Sequence, residues 1–211
     1  VDKPKSEGTG VKVRWVKLAD GQSAKIRFLN ELDSDSANFN EERGLAVVVS
    51  EHTNPKDYKR KAACTQETEG RCFGCEMARK EPKSGWRARL RFYTNVLVDD
   101  GKEDPYVAIF SQGVGPKSAT EEVIAYAGET GSITNINWKL KRTGMAMDTN
   151  YSIIPLPTAE AKAIDYTQYE LHDLAKTAVR NVAYADQENF YLALDNNQPT
   201  SEVKPATAVE W

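Results

Sequence analysis

The chain has 211 residues, 40% hydrophobic and 28% charged, which is enough for one sizeable core with a small satellite lobe. Its longest apolar runs, such as residues 45–49, are far too short to cross a bilayer, so no membrane partner is expected. The net charge of -3 is unevenly spread: residues 1–55 carry −1, residues 56–91 carry +6, residues 92–157 carry −3 and residues 158–211 carry −5. One basic belt in an acidic chain can hold phosphates while the remaining acidity keeps the protein soluble, although a solvated charged face would have the same composition.

Residues 1–10 are polar and contain Gly, Pro and Ser, so they read as a disordered arm. No charged-then-apolar leader is present there, and the cytoplasm is the expected address. Residues 11–18 (VKVRWVKL) alternate, with Val11, Val13 and Trp15 on one face. Ala19, Asp20 and Gly21 signal a turn, and residues 24–30 (AKIRFLN) continue strand-like, which predicts a hairpin. After a polar stretch over 33–44, residues 45–50 (LAVVVS) read as a buried strand that delivers His52 at its end. An inserted lobe is expected over 53–85.

Residues 87–98 resume period-two alternation, with Arg87, Arg89 and Arg91 opposite Ala88, Leu90 and Phe92. A turn at 99–101 leads to a strand over 106–110. Residues 118–128 predict a short helix with Ser118 as N-cap, Glu121 at the capping-box position and Gly128 as the stop. Residues 138–142 and 151–155 suggest a β-ribbon. Helical spacing over 158–185 (Ala161, Ile164, Tyr169, Leu171, Leu174, Ala178, Val182) predicts an appended C-terminal helical segment within 157–194, and the Pro/Thr/Asn-rich residues 195–211 predict a flexible tail. The fold class is therefore mainly β over 11–156, as a barrel of OB type or a β-sandwich, both of which would carry this pattern.

All three cysteines and one of the two histidines fall in one segment, as His52-x11-Cys64-x7-Cys72-x2-Cys75. An odd cysteine count argues against a disulfide framework, whereas four nitrogen and thiolate donors suit a closed tetrahedral zinc site. Gly74 between the paired cysteines permits a tight turn. The surrounding residues 53–85 hold few apolar side chains and would need a metal to close them. The spacing differs from that of zinc deaminases, which need a Glu two residues after the His and a Pro before the paired cysteines. Here those places hold Asn54 and Arg71, so the expected Zn2+ is structural.

Lys59, Arg60, Lys61, Arg87, Arg89 and Arg91 lie in the basic belt, with Tyr58, Phe73, Trp86, Phe92 and Tyr93 interleaved or adjacent. Trp138, Lys139, Lys141 and Arg142 form a second cluster of the same kind. Cations that neutralise a backbone, beside aromatic faces that stack bases for about 1–3 kcal/mol each, are the ingredients of single-strand binding. The competing reading is that strand aromatics are core. No nuclease carboxylate cluster, phosphate loop or nucleophile–base pair is legible, and His172 reads as a surface residue, so no enzyme is expected.

The order of these features resembles the zinc-containing single-stranded DNA-binding proteins of bacteriophages, the helix-destabilising proteins of T-even type. The matching elements are Trp15, the run from Lys25 through Leu29, His52, Cys64, the Cys72/Cys75 pair, the segment Phe92-Tyr93-Thr94-Asn95-Val96-Leu97-Val98 and the late basic ribbon, over about residues 11–156. The resemblance implies an OB-fold with an inserted zinc lobe. It also implies single-stranded DNA held in a basic, aromatic cleft between barrel and lobe, and work alongside phage replication, recombination and repair proteins. The alternative is an RNA-binding or protein-adaptor protein with the same fold and zinc.

Overall fold

The computed structural model describes residues 13–116, 118–145, 148–157 and 168–194. The expected arm over 1–10, the tail over 195–211 and the first part of the expected C-terminal helix lie outside these residues. Among the described residues, seven antiparallel strands form one sheet: β1 (Ser23–Phe28), β2 (Val47–Asn54), β3 (Asp57–Ala63), β4 (Arg89–Asp99), β5 (Tyr106–Gly113), β6 (Trp138–Thr143) and β7 (Asn150–Pro155). The ladder runs β3-β2-β4-β1-β6-β7, and β5 pairs with the remaining edge of β4.

The alternation within the strands sets two faces. Ala24, Ile26 and Phe28 of β1, Phe92, Val96 and Val98 of β4, and Trp138 and Leu140 of β6 point into the main core, where α3 (Ala119–Thr130) covers them. Phe28 meets both Trp138 and Phe110 edge to face, at 5.5 and 6.3 Å. Burying side chains of this size contributes about 1.5–3 kcal/mol each. On the opposite face lie Arg89, Arg91, Tyr93 and Asn95 of β4.

The Ser118 hydroxyl accepts from the Glu121 amide at 3.2 Å, as the capping signal predicts. The helix does not stop at Gly128 but passes through it to Gly131, which takes the left-handed conformation at φ 76°. The ribbon of β6 and β7 forms as expected, with Leu140 opposite Ile153.

The hairpin expected within residues 11–30 does not form. β1 pairs with β4 and β6, whereas Trp15 makes a parallel bridge to Ile109 of β5. The turn itself is present, with the Gln22 amide bonded to the Ala19 carbonyl at 3.0 Å, but the two arms join different edges.

The lobe over 53–85 is also more ordered by its own chain than its composition implies. β3 folds back on β2, pairing His52 with Ala62, and two helices follow, α1 (Gln66–Glu69) and α2 (Phe73–Lys80). Its apolar partners come from far along the chain. Ala62, Phe73 and Trp86 pack with Val182, Phe190 and Tyr191, the last two on α5 (Tyr184–Leu192). Gln187, fully buried, accepts from the Phe73 amide at 2.8 Å and donates to the Thr65 hydroxyl at 3.1 Å.

Within the described residues the C-terminal segment is not one helix. A single turn, α4 (Leu174–Thr177), starts from Asp173, whose side chain accepts from the Lys176 amide. No further helical turn forms between α4 and α5, and the Arg180 carbonyl there accepts from the Ala63 amide at the end of β3. Leu174 and Val179 cover Tyr93, Val49 and Ile109 on the sheet. His172 is buried rather than on the surface, with its backbone amide and carbonyl both bonded to the Asn95 side chain at 3.0 Å. No described helix is long and apolar enough to cross a membrane.

Tyr191 carries much of the lobe's packing, stacked on Phe73 and edge-on to Trp86 at 5.2 Å, with its hydroxyl reaching the His52 carbonyl at 3.3 Å. Tyr191→Ala is expected to lower stability by about 3–5 kcal/mol, and Tyr191→Phe by about 1 kcal/mol. Denaturant unfolding of the two variants measures both, and equal losses would assign the effect to the hydroxyl instead of the ring.

Candidate metal centre and basic cleft

His52 sits near the end of β2, Cys64 just past β3, Cys72 at the N-cap of α2 and Cys75 in its first turn. Strand pairing and the short helix thus bring together donors that are up to 23 residues apart. The four ligand atoms all lie within 4.8 Å of one another. Cys75 Sγ is 3.5 Å from Cys64 Sγ and 3.3 Å from His52 Nε2. A tetrahedral ion with bonds of about 2.0–2.3 Å needs donors about 3.5–3.8 Å apart.

The imidazole is oriented for this role. The Trp86 carbonyl lies 2.6 Å from His52 Nδ1 and can only accept, so Nδ1 carries the proton and Nε2 faces the sulfurs. Gly74 makes the approach possible. A Cβ there would lie 2.3 Å from His52 Cγ, so any side chain would push the ring out of place.

Cys72 is the thiol whose anion is most favoured. A hydrogen bond from Cys64, joined by one from His52, outweighs burial and holds Cys72 well below the usual thiol range. The Cys64 thiol is pushed up by the same contact and by burial. Burial opposes charge on His52, but its bonds to Cys72 and the Trp86 carbonyl raise it. A cation would displace the shared protons. The four side chains could hold a metal ion, and a set of soft thiolates with one borderline imidazole is compatible with zinc.

Beside the lobe, a cleft of about 540 Å³ is lined by Lys61, Arg87, Arg89 and Arg91, with Tyr58 and Glu51. Register explains the grouping. Arg89 lies opposite Glu51, Arg91 opposite Val49, and Lys61 opposite Thr53, all on the face away from the main core. Tyr58 is 73% exposed at the hairpin between β2 and β3. Lys59 is exposed on β3 nearer that hairpin, where the register against β2 shifts, and lies outside the cleft lining.

Glu51 is 4% exposed at the base of this cleft. It accepts from the Tyr93 hydroxyl at 2.6 Å and pairs with Lys61 at 3.1 Å and Arg91 at 3.9 Å. Without those partners a buried carboxylate would be strongly destabilising. Burial and the Glu51 charge together raise the Tyr93 hydroxyl pKa, so it stays a donor. No local signal marks Glu51, because its place among the cations follows from strand pairing alone.

Several expected contacts do not face the cleft. Trp86 packs in the lobe core against Phe73 and Tyr191, and Phe92 and Trp138 are in the main core. Tyr93 is buried beneath Leu174 and Trp15 and offers no open ring face. Arg60 points to the other side of β3, to Asp57 and the Phe190 carbonyl. Lys139 and Lys141 are exposed on β6, away from the cleft lining, and Arg142 is bonded to the Leu18 carbonyl at 2.6 Å. The expected stacking by these aromatics is therefore corrected: period two turns Phe92 and Trp138 into the main core, whereas Tyr93 and Trp86 are covered by segments packed from elsewhere in the chain.

No family model, curated protein or solved structure matches the chain. The case for function rests on the two sites themselves.

Gly74→Ala is expected to lower metal retention by displacing His52 while leaving the β-sheet signal in circular dichroism intact. Cys72→Ser with Cys75→Ser should abolish retention. Elemental analysis of the purified proteins tests both, and unchanged metal in the double variant would rule out the ligand set.

Proposed function

We propose that the protein binds single-stranded DNA without reading its sequence, in the cleft between an OB-type barrel and a lobe closed by structural zinc. The observation that carries this reading is the concave site itself, lined by four cations, three of them on one sheet face, with an exposed tyrosine at its rim. Lys61, Arg87, Arg89 and Arg91 would neutralise successive phosphates, and Tyr58 offers a ring on which a base can stack. A duplex keeps its base faces stacked on one another and so can use only the cationic part of such a site.

Two further observations support the barrel. Phe110 of β5 meets Tyr151 of β7 at 6.3 Å, and α3 packs against both strands, so the ends of the sheet approach each other. Support for zinc comes from the donor set and from His52 held by the Trp86 carbonyl. With four protein donors the shell is complete, which leaves no position for a reactive water and favours a structural role. His52 and Cys64 lie at the ends of the hairpin that bears Tyr58 and Lys61, so the ion would fix that wall of the cleft. The shared order of motifs supports a place among the phage proteins of replication, recombination and repair.

Arg87, Arg89 and Arg91 changed together to Gln are expected to weaken single-strand binding and to reduce its salt slope by about 2, at about 0.7 per phosphate contact. A salt series with single-stranded DNA, duplex and RNA of equal length measures this. An unaltered slope would remove the arginines from the site, and RNA binding as tight as DNA binding would redirect the reading to RNA.

A further inference from the structure

Trp15 is the aromatic that the cleft leaves unexplained. Among the described tryptophans, Trp86 and Trp138 are buried, whereas Trp15 is 37% exposed. Its bridge to Ile109 puts it alongside β5, and its ring meets Tyr93 edge to face at 6.3 Å. Tyr93 in turn bonds Glu51 and Lys61 at the base of the cleft. Trp15 is thus one side chain away from the proposed site, on the same face of the sheet.

Register gives the path between them. Arg91 pairs with Gly113, Tyr93 with Ser111 and Asn95 with Ile109, so these β5 residues share the outward face. Gly113 lines the cleft and is exposed, and Ser111 is half-buried. From Gly113 to Ile109 is four residues, about 13 Å at 3.3 Å per residue. Gly113 and Ser111 themselves carry no bulky side chain on this face, whereas Ile109 beyond them is packed with Leu174 and Val179. Beyond them come Trp15 and Lys17, two residues apart and both exposed, while Val16 and Leu18 turn into the main core. Arg14 is already paired with Glu103 and lies over the Tyr106 ring at 3.4 Å, whereas Lys17 has no ion pair among the described residues.

We propose that a bound single strand leaves the cleft over Gly113 and Ser111 and ends on Trp15, whose indole stacks on a base while Lys17 meets a neighbouring phosphate. This rests on the reading of the cleft as a single-strand site and extends it past β5. The edge contact with Tyr93 holds the indole in place, so little side-chain freedom is lost when a base arrives. A core lid would need only apolar bulk. Here part of a large ring is left exposed two residues from Lys17, which has no ion pair among the described residues.

The test uses the full chain with a fluorescently labelled oligothymidine, long or short, and the variants Trp15→Leu and Trp15→Phe. Leu keeps apolar cover over Tyr93 but has no stacking face, and Phe keeps a smaller one. With the long oligonucleotide, Trp15→Leu should bind about 5- to 150-fold more weakly, the span of one lost stack, and Trp15→Phe should fall between it and the wild type. With an oligonucleotide too short to reach from Arg89 to Trp15, all three should bind alike. Thermal melts should show Trp15→Leu folded. In a Trp211→Phe background, quenching of tryptophan fluorescence by the long strand should be lost in Trp15→Phe. Wild-type binding matched by Trp15→Leu on the long strand would overturn the assignment of Trp15 alone. Absence of wild-type binding to any length would overturn the cleft reading together with it.

Discussion

Eleven residues of β4 must find partners for their backbone groups on two edges, and the rest of the fold is arranged around that requirement. One edge is satisfied by β5 from Arg91 to Val98. The other is divided: β2 takes residues 89–93 and β1 takes residues 96–99. The gap falls at Thr94 and Asn95, where no strand can serve. Asn30 fills it, its side-chain oxygen accepting from the Asn95 amide at 2.7 Å, and the Leu29 amide takes the Asn95 carbonyl at 3.0 Å. Both asparagines are buried, and the Asn95 side chain goes on to anchor His172.

The fork explains why core and cleft are adjacent without mixing. Where β1 pairs, β4 turns Val96 and Val98 toward α3, and the strand is buried on both faces. Where β2 pairs, the outward residues are Arg89 and Arg91, beside the hairpin of β2 and β3. The same hairpin delivers His52 and Cys64. One local feature, β2 running past β4 to pair with β3, therefore positions two of the four candidate metal ligands and one wall of the cleft together.

The lobe is not self-sufficient. Its two helices and one hairpin enclose too little apolar surface, and residues 179–191 supply the remainder from the far end of the described chain. Hydrogen bonds from Asn54 to the Tyr191 carbonyl and from Tyr184 to Glu76 tie that segment to both sides of the lobe. A metal ion held by His52 and the three cysteines would constrain residues next to those this strap packs, so each would stabilise the geometry that the other needs.

Much of this was legible in the residues themselves. The donor set, the basic belt, the helix with its Ser118 cap and the β6–β7 ribbon follow from spacing, charge and capping, which are properties of neighbours along the chain. The partners of β1, the place of Trp15, the burial of Phe92 and Trp138 in the same core, and the role of residues 179–191 were not legible. Alternation tells that successive side chains face opposite ways, but not which face is covered. That depends on pairing between segments as distant as Ala63 and Arg180, or Trp15 and Ile109. Glu51 shows the same limit most sharply: a carboxylate among cations becomes part of their site only once β2, β3 and β4 lie side by side. Sequence determined which chemistry the chain can carry, and tertiary pairing decided which side chains were left open to use it, because exposure is set by what packs from elsewhere in the chain.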